Sequence, residues 1–219
     1  MNEKYPIAQE GFWYLLVTLG ASLAFFCLGS TSVALLGVLL SFYIAFFFRN
    51  PQRSIPRLSD AVLAPADGKI IFVGPAHERE FLNESRTKVS IFMSLFDVHI
   101  NRSPFDGVVE RVCHHPGRFL AAFDDRASEE NERNSVLLRS DQGDTFVVVQ
   151  IAGLVARRIR FYPKEGSRLK KGQRFGLIQF GSRVDIYLPA NAQTLVRVGE
   201  RTRGGETILA KLVHGGLNA

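Results

Sequence analysis

Glycine–serine pairs are the first residues here whose chemistry depends on their setting. The chain has three, Gly29-Ser30, Gly166-Ser167 and Gly181-Ser182. The first interrupts a long apolar stretch, and the second sits in the hydrophilic turn Lys164-Glu-Gly-Ser-Arg168. The third lies between Phe175-Gly-Leu-Ile-Gln-Phe180 and Val184-Asp-Ile-Tyr-Leu188, two runs that read as buried strands. A hydroxyl held rigidly beside the preceding carbonyl suits internal serinolysis. Ser182 Oγ attacks the Gly181 carbonyl, the peptide bond becomes an ester, and elimination then leaves dehydroalanine, which hydrolyses to a pyruvoyl group. Gly181 offers no side chain to hinder the approach, and fixed geometry in such reactions is worth about 7–11 kcal/mol. Read on spacing alone, the same pair is a tight turn between strands.

Serine attack needs a base or an oriented imidazole. Five histidines are available: His77, His99, His114, His115 and His214. Cys113-His114-His115 invites a metal reading, but neighbours in a strand point to opposite faces, so no metal site is expected there. Asp67 lies in Ala64-Pro-Ala-Asp-Gly68, where Asp-Gly is a turn signal whatever its chemistry.

The elements that must position these groups are short strands. Candidates are 61–63, 69–73, 88–93, 107–113, 135–138, 145–151, 175–180, 184–188 and 194–198, separated by Gly-, Pro- and Asp-rich turns. The spacing predicts a mainly β fold, a compact sandwich or barrel-like domain over residues 58–219. Residues 128–133 read as a polar loop or short helix, and 155–159 as a strand or one helical turn.

Residues 1–57 differ. No charge occurs from Phe12 to Phe48. Gly29-Ser30-Thr31-Ser32 divides this run into 17 residues (12–28) and 16 residues (33–48). Each half is near the lower limit of about 17 residues for crossing a bilayer, so a membrane-anchoring helical hairpin followed by a basic linker is expected. Trp13, Tyr14 and Tyr43 suit its interfacial ends, and Arg49, Arg53 and Arg57 place both termini on the cytoplasmic face of the cell membrane. The formal charge is +6. Basic residues beside the apolar segment, then Arg157, Arg158, Arg160, Lys164, Arg168, Lys170 and Lys171, point to anionic lipid rather than nucleic acid. Cys27 and Cys113 form no disulfide framework, which fits a reducing compartment.

Several motifs, in order, resemble those of phosphatidylserine decarboxylase proenzymes. Gln179-Phe-Gly-Ser-Arg-Val-Asp-Ile-Tyr-Leu-Pro189 is similar to the family's processing site. The likeness continues through Leu63-Ala-Pro-Ala-Asp-Gly-Lys-Ile70, Met93-Ser-Leu-Phe-Asp-Val-His-Ile-Asn-Arg-Ser-Pro104, His115-Pro-Gly-Arg-Phe119 and Ser128-Glu-Glu-Asn-Glu-Arg-Asn134. The chain looks like the short, archaeal-type form. The resemblance implies a zymogen cut between Gly181 and Ser182 into fragments 1–181 and 182–219 that stay together as a heterodimer. It implies a covalent pyruvoyl cofactor from Ser182, a Schiff base with phosphatidylserine, loss of carbon dioxide and release of phosphatidylethanolamine for phospholipid biosynthesis. It also assigns His99 as the imidazole and Asp67 as the acid that orients it. Longer family members carry two histidines in this loop. Here Arg102 takes the second place, so either His99 serves both steps or His115 supplies the other, and Arg102 is a candidate to bind the substrate's phosphate or carboxylate instead.

Other readings make different predictions. A non-catalytic, membrane-tethered β module keeps one unbroken chain. A carrier domain of lipoyl or biotinyl type wants a Met-Lys-Met hairpin tip, whereas the methionines are Met1 and Met93. A serine hydrolase wants a Gly-x-Ser-x-Gly elbow, which does not occur.

Overall fold

The computed structural model describes residues 5–122, 126–154, 158–179 and 181–213. They divide into two compact units, 1–52 and 53–219.

The first unit is a helical pair, α1 (Gln9–Cys27) and α2 (Thr31–Phe47). The reversal between them uses Gly29 at φ +80°. Small residues let the helices touch. A Cβ on Gly37 would stand 2.2 Å from Ser22 Oγ, and one on Gly11 would stand 2.7 Å from the Phe48 Cβ. Ser41 donates to Thr18 Oγ1 across the pair at 2.8 Å. Small residues with interhelical hydroxyl bonds are how helices associate when apolar burial cannot drive them. The outward surface is apolar, with Trp13, Leu16, Leu23, Phe26, Leu36, Leu39 and Phe42 exposed. α1 is long and apolar enough to cross a bilayer, and α2 is shorter at 17 residues. The two open ends are clasped: Ala8 N–H donates to Phe48 O at 2.8 Å, and Asn50 N–H to Pro6 O at 2.7 Å.

The second unit is mainly β, as the turn spacing predicts. Its strands are β1 (Ala61–Leu63), β2 (Gly68–Glu78), β3 (Glu84–Met93), β4 (Ile100–Arg102) and β5 (Gly107–His115). A short helix, α3 (Ala127–Glu130), precedes β6 (Arg133–Ser140), β7 (Thr145–Ala152), β8 (Ile159–Phe161) and β9 (Arg168–Leu169). β10 (Arg174–Ile178), β11 (Ser182–Tyr187), β12 (Ala192–Thr194), β13 (Arg201–Thr202) and β14 (Ile208–Leu212) complete it. An eight-stranded antiparallel sheet runs β13-β2-β3-β11-β7-β6-β5-β9, with two three-stranded sheets, β1-β14-β12 and β4-β10-β8.

Alternation along the central strands sorts the side chains. Met93, Ile91, Val184, Ile186, Val148, Ala152 and Val136 enter one fully buried core. Leu137, Val147, Val149 and Ile151 face the other way, where Phe81, Leu82 and Tyr187 cover them. β11 is therefore central in the sheet and buried on both faces.

Three details depart from the expected elements. The strand placed at 194–198 is β12, ending at Thr194. β13 and β14 lie beyond the last strand candidate, and Phe180 and residues 155–157 fall outside the described residues. Arg53, expected on a lipid-facing basic stretch, instead belongs to the second unit, its side chain largely covered and bonded to Asp67 and Glu206. Charge-assisted bonds to the two carboxylates offset part of what the guanidinium loses in leaving water.

Candidate active site

β11 begins at Ser182, and register fixes what surrounds it. Ser182 pairs with Met93 of β3 on one side and Ala152 of β7 on the other. Its side chain is fully buried, and its hydroxyl donates to Met93 Sδ at 3.4 Å. A thioether is a weak acceptor, so little holds the hydroxyl in this rotamer.

Gly181, just before the strand, has φ +68°. This left-handed conformation costs an ordinary L-residue roughly 1–2 kcal/mol, and glycine is spared that cost. A Cβ there would meet only Leu95, at 3.8 Å, so the backbone conformation rather than crowding requires glycine. Across from it, a Cβ on Gly153 would lie 2.3 Å from Gly181 O. Gly153 therefore packs its bare backbone against the carbonyl that serinolysis would attack.

His99 is buried, and its ring is set by two contacts. Nδ1 lies 3.0 Å from Asp97 O, and a carbonyl can only accept, so Nδ1 carries the proton. Nε2 is then the acceptor, and it receives the Gly181 N–H at 3.1 Å. The unprotonated nitrogen thus rests on the residue preceding Ser182. Of the sequence-predicted site residues, the structure brings Ser182, Gly181 and His99 together.

Asp67 sits differently. Its Oδ1 accepts the Gly204 N–H at 2.7 Å and its Oδ2 pairs with Arg53 at 2.7 Å. The imidazole is oriented by the Asp97 main chain instead. Burial pushes the Asp67 carboxyl up, against the pull of Arg53, and the negative charge of Asp97 adds to the rise.

His115 belongs to the far side of the sheet. It pairs with Arg133, which pairs with Ile151, which pairs with Arg183, the residue after Ser182. Directly paired residues share a face, and adjacent residues do not. His115 Nε2 bonds Glu80 at 2.8 Å. Together Glu80, Cys113 and His115 place three ligand atoms within 4.8 Å of one another, a set that can hold a metal ion and excludes His114 by strand alternation. Burial and the Glu80 carboxylate push the Cys113 thiol up. A cleft of about 440 Å³ lined by His77, Glu80, Lys88, Arg133 and Asp185 opens on this same outer face.

Arg102 is buried at the end of β4, where Nη1 donates to Gly172 O at 2.9 Å. It stands three residues along the chain from His99, roughly 10 Å at strand rise. His214 and Arg157 lie outside the described residues.

Sequence reasoning missed a buried amide chain beside the serine. Asn134 Nδ2 donates to Gln150 Oε1 at 3.1 Å, and Gln150 Nε2 donates to Asn101 Oδ1 at 2.8 Å. Asn101 Nδ2 then reaches Met93 Sδ at 3.9 Å, on the sulfur that also takes the Ser182 hydroxyl. Its signal was present: Gln150 interrupts the apolar run of β7 on the core-facing side.

Comparison with known proteins gives the family. Residues 40–210 match the sequence model of the phosphatidylserine decarboxylase family. The chain is 46% identical over 211 residues to a phosphatidylserine decarboxylase proenzyme of Geotalea uraniireducens (strain Rf4), covering 96% of this chain and 99% of the relative. A proenzyme of the same description from Burkholderia pseudomallei (strain 1106a) is 45% identical over 213 residues, covering 97% and 98%. Another from Geobacter metallireducens is 44% identical over 216 residues, covering 96% and 99%.

Proposed function

We infer that this chain, which belongs to the phosphatidylserine decarboxylase family, decarboxylates phosphatidylserine to phosphatidylethanolamine with a carbonyl made from its own Ser182. The observation that carries the reading is the contact of His99 Nε2 with Gly181 N–H at 3.1 Å, beside a fully buried Ser182.

Self-cleavage begins with rotation of the Ser182 hydroxyl from Met93 Sδ toward the Gly181 carbonyl carbon. His99 takes the hydroxyl proton as Oγ bonds to carbon, and the Gly181–Ser182 C–N bond breaks as its nitrogen gains a proton. The product is an ester between Gly181 and Ser182 Oγ. Loss of the Ser182 Cα proton then expels the Gly181 carboxylate and leaves dehydroalanine at residue 182. Water adds, ammonia departs, and a pyruvoyl group heads the 182–219 fragment. That group would supply an electrophilic carbonyl, able to condense with the substrate amine and to accept the electron pair left by carbon dioxide. The burial of Ser182 suits it, since a dry site favours loss of a charged carboxylate as neutral gas. In this reading His99 also holds or returns a proton at the carbon that carbon dioxide leaves, supported by its contact with Gly181 beside Ser182. Asp67 acts as a positioning residue, its carboxylate tying Arg53 and the Gly204 loop beside the Asp97 turn.

The two fragments stay associated because β11, in the smaller one, is hydrogen-bonded between β3 and β7 of the larger. The apolar N-terminal pair anchors the enzyme on the cytoplasmic face of the cell membrane, where its lipid substrate resides.

Intact mass of purified protein tests this. The expected result is two fragments, 1–181 and 182–219, the smaller with a blocked, ketone-bearing N-terminus. Ser182→Ala stays uncut and inactive. Uncut, fully active protein would refute the reading.

A further inference from the structure

Register around Ser182 also determines what stands at the mouth of its site. Because β11 lies between β3 and β7, the chain beyond Met93 and beyond Ala152 emerges on either side of Gly181. Those positions hold Leu95, Phe96 and Leu154, which are 37%, 71% and 67% exposed. Scattered exposed apolar residues need no explanation, but three large ones converging on a reaction centre do.

The Leu95–Phe96 tip is a fixed feature. Asp97 N–H closes on Ser94 O at 3.0 Å, while the Asp97 carboxylate takes Ser94 N–H at 2.9 Å and the Ser94 hydroxyl at 2.6 Å. These bonds hold the turn shut with both side chains outward, and the Asp97 carbonyl in the same turn orients His99. Exposed cations rim the patch. Arg201 bonds the Asp97 carboxylate yet leaves its side chain 66% exposed. Arg158 is exposed, and its carbonyl receives Gln179 N–H two residues before Gly181.

We propose that the Leu95–Phe96 turn and Leu154 insert into the surface of an anionic bilayer, with Arg158 and Arg201 meeting the headgroup phosphates and carboxylates. This rests on the reading that the catalytic carbonyl arises at Ser182. In phosphatidylserine the reacting amine and carboxylate lie only a few bonds from the phosphate, so a buried reaction centre reaches them only when its mouth faces the interface. Apolar side chains at a rigid tip with basic residues behind them match the acyl boundary and the anionic layer in depth order, an insertion of about 5–10 Å.

The test uses the full-length protein carrying Phe96→Asp and Leu154→Asp. Its kcat/KM is measured on vesicles of phosphatidylserine and phosphatidylcholine, and on dihexanoyl phosphatidylserine dissolved below its micelle threshold. The expected result is a fall of at least about tenfold on vesicles with the dissolved substrate within about twofold, by loss of interfacial binding. Equal losses on both substrates, or no loss on vesicles, overturn the proposal. A second measurement needs no turnover and decides the surface even in an uncut chain. With the single native tryptophan removed by Trp13→Phe, Phe96→Trp emission is expected to be quenched by brominated acyl chains. Phe72→Trp, on the opposite sheet face, is not. Equal quenching at both positions, or none at 96, sinks the surface. An uncut and inactive variant that is still quenched at 96 counts against the Ser182 reading alone.

Discussion

His99 Nε2 receives the amide hydrogen bond of Gly181 at 3.1 Å, so the acceptor nitrogen of the imidazole is already on the segment proposed to be cut. Only its tautomer makes this possible, and the Asp97 carbonyl enforces that tautomer from the other side of the ring. His99→Ala removes both the proton acceptor and the hydrogen bond that steadies Gly181. Self-cleavage is expected to slow by about 10²–10⁴-fold, the range of a general base. Intact mass followed over time after synthesis measures it, and normal processing would remove His99 from the assignment.

Asp67 gives a prediction with a pH sign. The folded chain holds its proton more tightly than the usual value of 3.8, because burial outweighs Arg53. Between the unfolded and folded values the native state therefore binds more protons, and stability falls as pH rises through that window, remaining lowered above it. Glu206 works oppositely. The Ser54 amide, then Arg53, hold it below 4.5, so its contribution is lost as pH falls beneath that value. Asp67→Asn in the uncut Ser182→Ala chain is expected to abolish the loss of thermal midpoint with rising pH that begins near 3.8, while leaving the acid-side loss in place. In the cleavable chain the same change should also slow processing; a midpoint-only effect would leave Asp67 a purely structural role.

Much of this was legible beforehand because the signals are local. The strand 61–63 is found unchanged as β1, and the apolar flanks of Gly181-Ser182 become β10 and β11. What stayed hidden depends on partners distant in sequence. Asp67 and His99 were expected to bond, but Arg53, 14 residues before Asp67, and Gly204, 137 residues after it, claim both carboxylate oxygens. Asp97 was visible two residues from His99, yet its role runs through its carbonyl, which no residue type reveals. His115 looked like a reserve base until register set it on the outer face. A one-residue difference in strand phase would have reversed that result.

The amide chain through Gln150 predicts a stability effect separable from chemistry. Gln150 and Asn101 are fully buried. Gln150→Leu leaves Asn101 Oδ1 and Asn134 Nδ2 without the partners they now have. Each stranded group costs about 1–3 kcal/mol, and in a chain of this size 1 kcal/mol moves the midpoint by roughly 2–4 °C. The uncut Ser182→Ala form of Gln150→Leu is therefore expected to melt about 4–24 °C lower. An unchanged midpoint would mean the amides contribute nothing net.

Gly153 offers a test of geometry rather than of acid–base chemistry. An alanine methyl there would stand 2.3 Å from Gly181 O and 3.1 Å from the Ala122 methyl. Carbon and oxygen do not tolerate that separation, so one backbone must retreat by about 1 Å to reach ordinary contact distance. Retreat of the Gly181 side displaces the carbonyl that Ser182 attacks in the proposed serinolysis, and a misplacement of that size can cost about 10²-fold in rate. Gly153→Ala is accordingly expected to accumulate uncut chain, with overpacking costing about 1–3 kcal/mol of stability. Gly143→Ala is the matched control. Its φ of +92° strains any side chain, but nothing lies within 4 Å of the added methyl. It should process normally, whereas cleavage slowed equally in both variants would trace the effect to general loss of stability and not to the position of the Gly181 carbonyl.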